Sequence, residues 1–165
     1  MDHQPVHIVP YDPGWTRKFA DEKRMLAQVL APYAYEIAHI GSTAVPKLPA
    51  RPIIDIAVQL DSLAWIGDLL APLSRVGYLY MGHYGLAGRQ FFVKEETGRF
   101  HLSLVDPQTD LWVQWIRFRD LLRADEAVRN RYLRMKIRLA AQYGMNRKRH
   151  DEEKSKFICA MLAKH

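Results

Sequence analysis

The sequence predicts an α+β fold: a mixed β-sheet with helices packed on it, closed by a helical tail. Two observations carry this expectation. Apolar residues recur at helical spacing before Pro32 and again from Thr109 on, while β-branched and alternating runs fill the middle of the chain. The strands are joined first through a helix and then by glycine turns, which gives a mixed sheet rather than a doubly wound parallel one.

The elements follow in order. A short extended segment, Val6-His7-Ile8-Val9-Pro10, leads into the turn Tyr11-Asp12-Pro13-Gly14. Trp15, Phe19, Met25-Leu26 and Val29-Leu30 then mark a helix from about Pro13 to Leu30, stopped by Pro32. Tyr35 to Ile40 alternates as a strand does. The stretch from Gly41 to Pro52 holds Pro46, Pro49 and Pro52 and so reads as a loop. Ile53-Ile54-Asp55-Ile56-Ala57-Val58 is apolar on both faces, as a central strand is, and Asp55 is its single carboxylate. Asp61-Ser62 caps a helix over about 63–76, with Trp65-Ile66, Leu69-Leu70 and Leu73 on one face and Gly77 at its end. Strands over 78–81, 89–94 and 99–105 are separated by turns at Gly82, Gly85, Gly88 and Gly98. The tail reads as helices over roughly 109–123, 126–143 and 147–163, with Val128, Tyr132, Met135, Leu139 and Tyr143 forming an apolar stripe for core packing on the second. One domain spans 1–165, with a sheet core to about residue 108 and the helical tail beyond it.

Composition narrows the function classes. No stretch is long and apolar enough for a membrane helix, and the first residues lack a signal core, so a soluble cytoplasmic protein is expected, without a membrane partner. The only cysteine, Cys159, excludes an internal disulfide and a cysteine metal site, and is expected as a buried thiol. Charge is uneven: residues 1–116 carry 10 basic and 12 acidic residues, and residues 117–165 carry 14 and 6. The tail therefore suits a phosphate-bearing ligand or a nucleic acid, the latter through Arg131, Arg138 and Arg147, unless it is simply the solvated faces of its helices.

The chemistry gathers at His39-Ile40-Gly41-Ser42-Thr43 and at Asp55. Gly41-Ser42 is a strand-to-loop candidate for phosphate binding, with the spacing of neither a Walker loop nor a dinucleotide fingerprint. Gly41-Ser42, an intervening loop and apolar-Asp-apolar at Ile54-Asp55-Ile56 resemble the signature of polymerase-beta-type nucleotidyltransferases. The whole run from Ile40 to Ile56 is similar to the hallmark of the GrpB-like family within that superfamily. Val9-Pro10-Tyr11-Asp12-Pro13-Gly14-Trp15, Gly88-Arg89-Gln90-Phe91-Phe92, His101-Leu102, Phe118 to Arg123, Tyr132 to Lys136 and Lys154 to Ile158 match in the same order, so the resemblance spans nearly the whole chain.

The resemblance implies a nucleotidyltransferase-like sheet whose glycine-serine turn and strand carboxylates hold a nucleotide with a divalent metal, for transfer of a nucleotidyl group to an acceptor. Asp55 and His101 stand as the catalytic and metal-ligating candidates, with magnesium, manganese or zinc as the metal. Gly41, Ser42, Thr43, Arg51, Arg89, Ser103 and Lys136 are the candidates for holding the nucleotide or its phosphates. Two positions depart from the pattern. Ala57 stands where the superfamily carries its second acid, and Ser103 where the family commonly has a second histidine. Imidazole favours zinc or manganese over magnesium, and these departures leave two strong ligands.

Structural readings stand beside these. Asp55 can pair with Arg89 or Arg99 to brace the sheet, and Ser42 can cap the following turn. His39 reads as structural, His101 can order Asp55, and Lys47 and Lys136 can be surface lysines. Two further functions remain open: a catalytically inactive ligand-binding or regulatory domain of the same fold, and nucleic-acid binding through the tail.

Overall fold

The computed structural model describes residues 7–31, 33–96 and 99–165, without the side chains of Ala34, Tyr35 and Arg147. The expected roles of Val6, Pro32 and Gly98, and of the Arg147 side chain, lie outside the described residues. Helix α1 runs Gly14–Leu30, entered through Asp12, whose Oδ1 accepts from the Gly14 N–H at 2.8 Å. Strands β1 (Ala34–Ile40) and β2 (Ile54–Leu60) follow, separated by the proline loop. That loop contains a 3-10 turn at Ser42–Ala44 and bridges back to the extended N-terminal segment through Val9 and Ala50.

The helix expected over 63–76 begins as a 3-10 turn at Leu63–Trp65, capped by Ser62, and becomes α2 at Ile66–Arg75. Trp65, expected on its buried face, is exposed and meets Tyr33, because the tighter opening turn rotates it off the stripe of Leu69 and Leu73. Gly77, at φ 93°, ends the helix, with the Tyr78 N–H returning to the Leu73 carbonyl. The strand expected over 78–81 shortens to β3, Leu79–Tyr80; β4 (Arg89–Lys94) and β5 (Phe100–Val105) complete the sheet. Its order is β1-β2-β5-β4-β3, with β2 and β5 parallel and the other neighbours antiparallel. It is the mixed sheet of an α+β fold.

Alternation along the strands gives the sheet two different faces. Ile54, Ile56, Val58 and Leu60 of β2, with Phe100, Leu102 and Leu104 of β5, pack against Trp15, Leu26 and Leu30 of α1 and Leu69 and Leu73 of α2. The opposite face carries Asp55 and Ala57 beside His101 and Ser103. Helix α3 (Leu111–Ala124) covers half of it, burying Ala38, Ala57 and Val105 with Trp112. The other half, at Asp55 and His101, is left for the loop and the tail.

Helices α4 (Glu126–Tyr143) and α5 (Arg147–Lys164) are capped by Asp125 and Asn146, whose side chains accept from Val128 and Arg149 N–H groups. Of the expected stripe, Val128, Tyr132, Met135 and Leu139 are buried and Tyr143 is partly buried, together with buried Val45 and Leu48 from the proline loop and Met161 from α5. Cys159 is a correction: it is exposed. The inward face of α5 is set by Phe157, Ile158, Met161 and Leu162, and helical geometry turns position 159 away from it.

One buried polar cluster was not visible in the pattern. Glu22 of α1 accepts from Lys94 Nζ of β4 and from the Tyr78 hydroxyl, each at 2.9 Å. Burial, and then the Glu22 charge, push the Tyr78 hydroxyl well above its ordinary pKa, so it stays protonated and donates. Replacing Lys94 by Met strands the Glu22 carboxylate, and chemical denaturation is expected to show a loss of about 3–5 kcal/mol. The double variant with Glu22→Gln is expected to recover part of it.

Candidate active site

The site begins with Gly41. Its backbone lies at φ 71° and ψ −172°, a region open essentially to glycine alone. A Cβ there would come within 2.5 Å of Asp55 Oδ2. Both facts follow from register: Ile40 pairs with Asp55 across β1 and β2, so the chain leaving β1 must turn directly over the carboxylate. Glycine lets it do so.

The turn is then pinned from beneath. Thr43 Oγ1 donates to the Ile53 carbonyl at 3.1 Å and lies 2.9 Å from His39 Nε2. Since the hydroxyl hydrogen is used on Ile53, His39 must donate from Nε2. His39 stacks on Phe19, and burial lowers its pKa to about 4, so it is a neutral structural imidazole at pH 7. Thr43 lines the cleft, with its hydroxyl committed to this network. From α3, Arg119 donates to the His39 carbonyl at 3.1 Å and Arg123 to the Ala44 carbonyl at 2.8 Å. The turn's own hydrogen bonds are Ala44 N–H to Gly41 and Val45 N–H to Ser42, so they leave the leading N–H groups at Ser42 and Thr43 unused.

Above the turn lies a cleft with a volume of ≈ 70 Å³. Gly41, Ser42, Thr43, Arg51, Asp55, His101 and Lys136 line it, and α5 adds His150 and Lys154. His101 Nδ1 sits 3.5 Å from Asp55 Oδ1. Burial pushes the Asp55 carboxyl up, but His101, and after it Lys154 and Arg51, outweigh burial and hold it below its ordinary value. Lys136 Nζ donates to Ser42 Oγ at 2.8 Å and to the Pro49 carbonyl at 3.4 Å. Burial first, then the charges of Lys154 and Arg51, lower its pKa to about 7. Three cationic side chains and two histidines thus surround one carboxylate.

Of the residues singled out in the sequence, Gly41, Ser42, Thr43, Arg51, Asp55, His101 and Lys136 meet in this cleft; Arg89 and Ser103 are not among its lining residues. Arg89 Nη2 donates to the Tyr84 carbonyl at 2.9 Å, and its guanidinium lies over Phe91. Ser103 is buried within β5, opposite Ala57 on β2 and Phe91 on β4. Asp55 is partnered by His101, in place of the arginine pairing considered for it. Lys154 and His150 were missed as site residues. Their spacing of four places them on one face of a helix, but only tertiary packing shows that this face overhangs Asp55. Arg131 and Arg138 are exposed and do not line the cleft.

The donor set does not fit a two-metal centre. Ala57, where a second carboxylate would stand, is fully buried in the apolar cluster of Trp112, Trp115 and Ile116. Among the described residues, no three His, Cys, Asp or Glu side chains gather as metal ligands.

The sheet, with a glycine-serine turn over a strand aspartate, defines a protein of nucleotidyltransferase fold. The poly(U) polymerase Cid1, in its structure with magnesium and 3'-dATP, superposes with a TM-score of 0.56 at 14% identity, over 80% of this chain and 44% of Cid1. The GrpB protein family model matches residues 5–164, and the chain belongs to the GrpB family. The crystal structure of GrpB from Enterococcus faecalis superposes with a TM-score of 0.78 at 29% identity, over 94% of this chain and 99% of that one. Glutamate-rich protein GrpB of Alkalihalophilus pseudofirmus is 31% identical over 95% of this chain and 94% of its own length. YqkA of Bacillus subtilis is 33% identical over 84% of this chain, which covers 40% of that longer protein.

Substituting Gly41 by Ala is expected to lower stability by about 1–3 kcal/mol in denaturant titration, from backbone strain alone. The overlap with Asp55 adds to that loss.

Proposed function

We propose that the cleft binds the phosphates of a nucleotide, neutralising them with Lys136, Lys154 and Arg51 in place of a metal pair. The surplus of positive charge over the single carboxylate Asp55 carries this reading. Cationic groups confined in a concavity concentrate anions, and a phosphate there gains several charge-assisted hydrogen bonds at once. The leading N–H groups at Ser42 and Thr43 add neutral donors. The nucleotides held by Cid1 in its structures support the ligand class. Asp55 and His101 orient one another and set the floor of the site. With Ala57 sealed under α3, the residues favour a binding or regulatory role over nucleotidyl transfer.

Calorimetric titration with ATP tests this, with and without magnesium, manganese or zinc. Binding without metal is expected, weakening with salt, and Lys154→Ala is expected to reduce affinity about 10-fold or more. ATP affinity that is absent without metal, or unchanged in Lys154→Ala, would refute the proposal. Transfer of label from ATP to an acceptor would overturn the non-transferring role.

The same titrations have a pH signature. Lys136 loses its proton near pH 7 in the free protein, and a bound anion raises its pKa. Binding is therefore expected to take up a proton and to weaken as pH rises from 6 to 8. Heats measured in buffers of different ionisation enthalpy report the uptake, and Lys136→Met is expected to reduce it.

A further inference from the structure

The cleft is far smaller than the ~300–1,000 Å³ of a pocket for a whole drug-sized ligand, so it accommodates phosphate and leaves the rest of a nucleotide outside. Next to it lies a second, shallow depression, lined by Tyr84, Gly85, Lys148 and Asp151. Two chains of residues join them. On the helical side, His150 lines the cleft and its neighbour Asp151 lines the depression. On the sheet side, His101 meets the Phe91 ring edge-on at 5.2 Å, and Phe91 stacks with Tyr84 at 5.1 Å and 27°.

The aromatic pair is held in place. Arg89 covers Phe91 at 4.6 Å and ties the loop through the Tyr84 carbonyl, while the Gly85 N–H donates to His83 Nδ1. Tyr84 is held at φ 46°, a backbone state that bulky residues rarely adopt, and its side chain remains substantially exposed. A strained aromatic supported by a second ring and a guanidinium, beside a phosphate-sized cleft, is suited to stacking a planar group.

We propose that Tyr84 is the stacking platform for the nucleobase of the nucleotide whose phosphates occupy the cleft, with Lys148 and Asp151 as the opposite wall. This rests on the anion-binding reading of the cleft. Lys148 and Asp151 can meet polar edges of the base, while the ring supplies a face that any base can use.

Calorimetry with inorganic tripolyphosphate, ATP and UTP separates the two proposals. Wild-type protein is expected to bind ATP and UTP more tightly than tripolyphosphate, by about 5- to 150-fold, the range of base–aromatic stacking. Tyr84→Asn keeps a residue that tolerates positive φ and removes the ring. It is expected to erase that difference and leave tripolyphosphate affinity unchanged, while Tyr84→Phe retains the difference. Equal wild-type affinity for all three ligands, or a preference that survives in Tyr84→Asn, would overturn the base platform and leave the phosphate site standing. If none of the three binds, both readings fail.

Discussion

The loop from Gly41 to Ile53 belongs to two packed regions at once, and the cleft depends on that double attachment. Through Thr43 and His39 it is fastened to the sheet and α1; through Val45 and Leu48 it is part of the core of the helical tail. Lys136 closes the link by donating to Ser42 and Pro49 across the same junction. Three prolines keep the loop out of regular structure, so its path is dictated by these attachments and by α3 arginines on its carbonyls. The tail is therefore a wall of the site, and the division of the chain near residue 108 marks a change of secondary structure rather than a break in the packing.

Much of this was legible because it rests on periodicity. Strand β2 announces itself as a both-faces apolar run, and the stripe from Val128 to Leu139 announces the buried face of α4. The prominence of Asp55 came from the same contrast, a lone carboxylate in an apolar strand. What the pattern does not encode is which elements meet. Lys154 and His150 look like ordinary surface residues of a charged helix until α5 is docked over Asp55. Arg89 reads in the sequence as an anion clamp or as a partner for Asp55, and the structure places it on the Tyr84 carbonyl. Cys159 followed the general tendency of free cysteine to be interior, and four larger apolar neighbours decided the facing of α5 instead.

The departures at Ala57 and Ser103 acquire a physical meaning from their surroundings. Ala57 is a closed position beneath Trp112, where a carboxylate would be desolvated and unpartnered. Positive charge has been assembled on the other side of the cleft, from the proline loop and from α4 and α5. Burial, and after it the neighbouring charges of Lys154 and Arg51, disfavour the charged form of Lys136. A bound anion would favour the charged form of Lys136.

The topology also orders events during synthesis. Strand β2 finds one neighbour in β1, already made, but its parallel partner β5 must wait until Val105. The sheet can then close around Asp55 while the cleft has only one side. His150 and Lys154 arrive later still. The walls that α4 and α5 give the cleft, through Lys136, His150 and Lys154, are thus the last parts of the site to be synthesised.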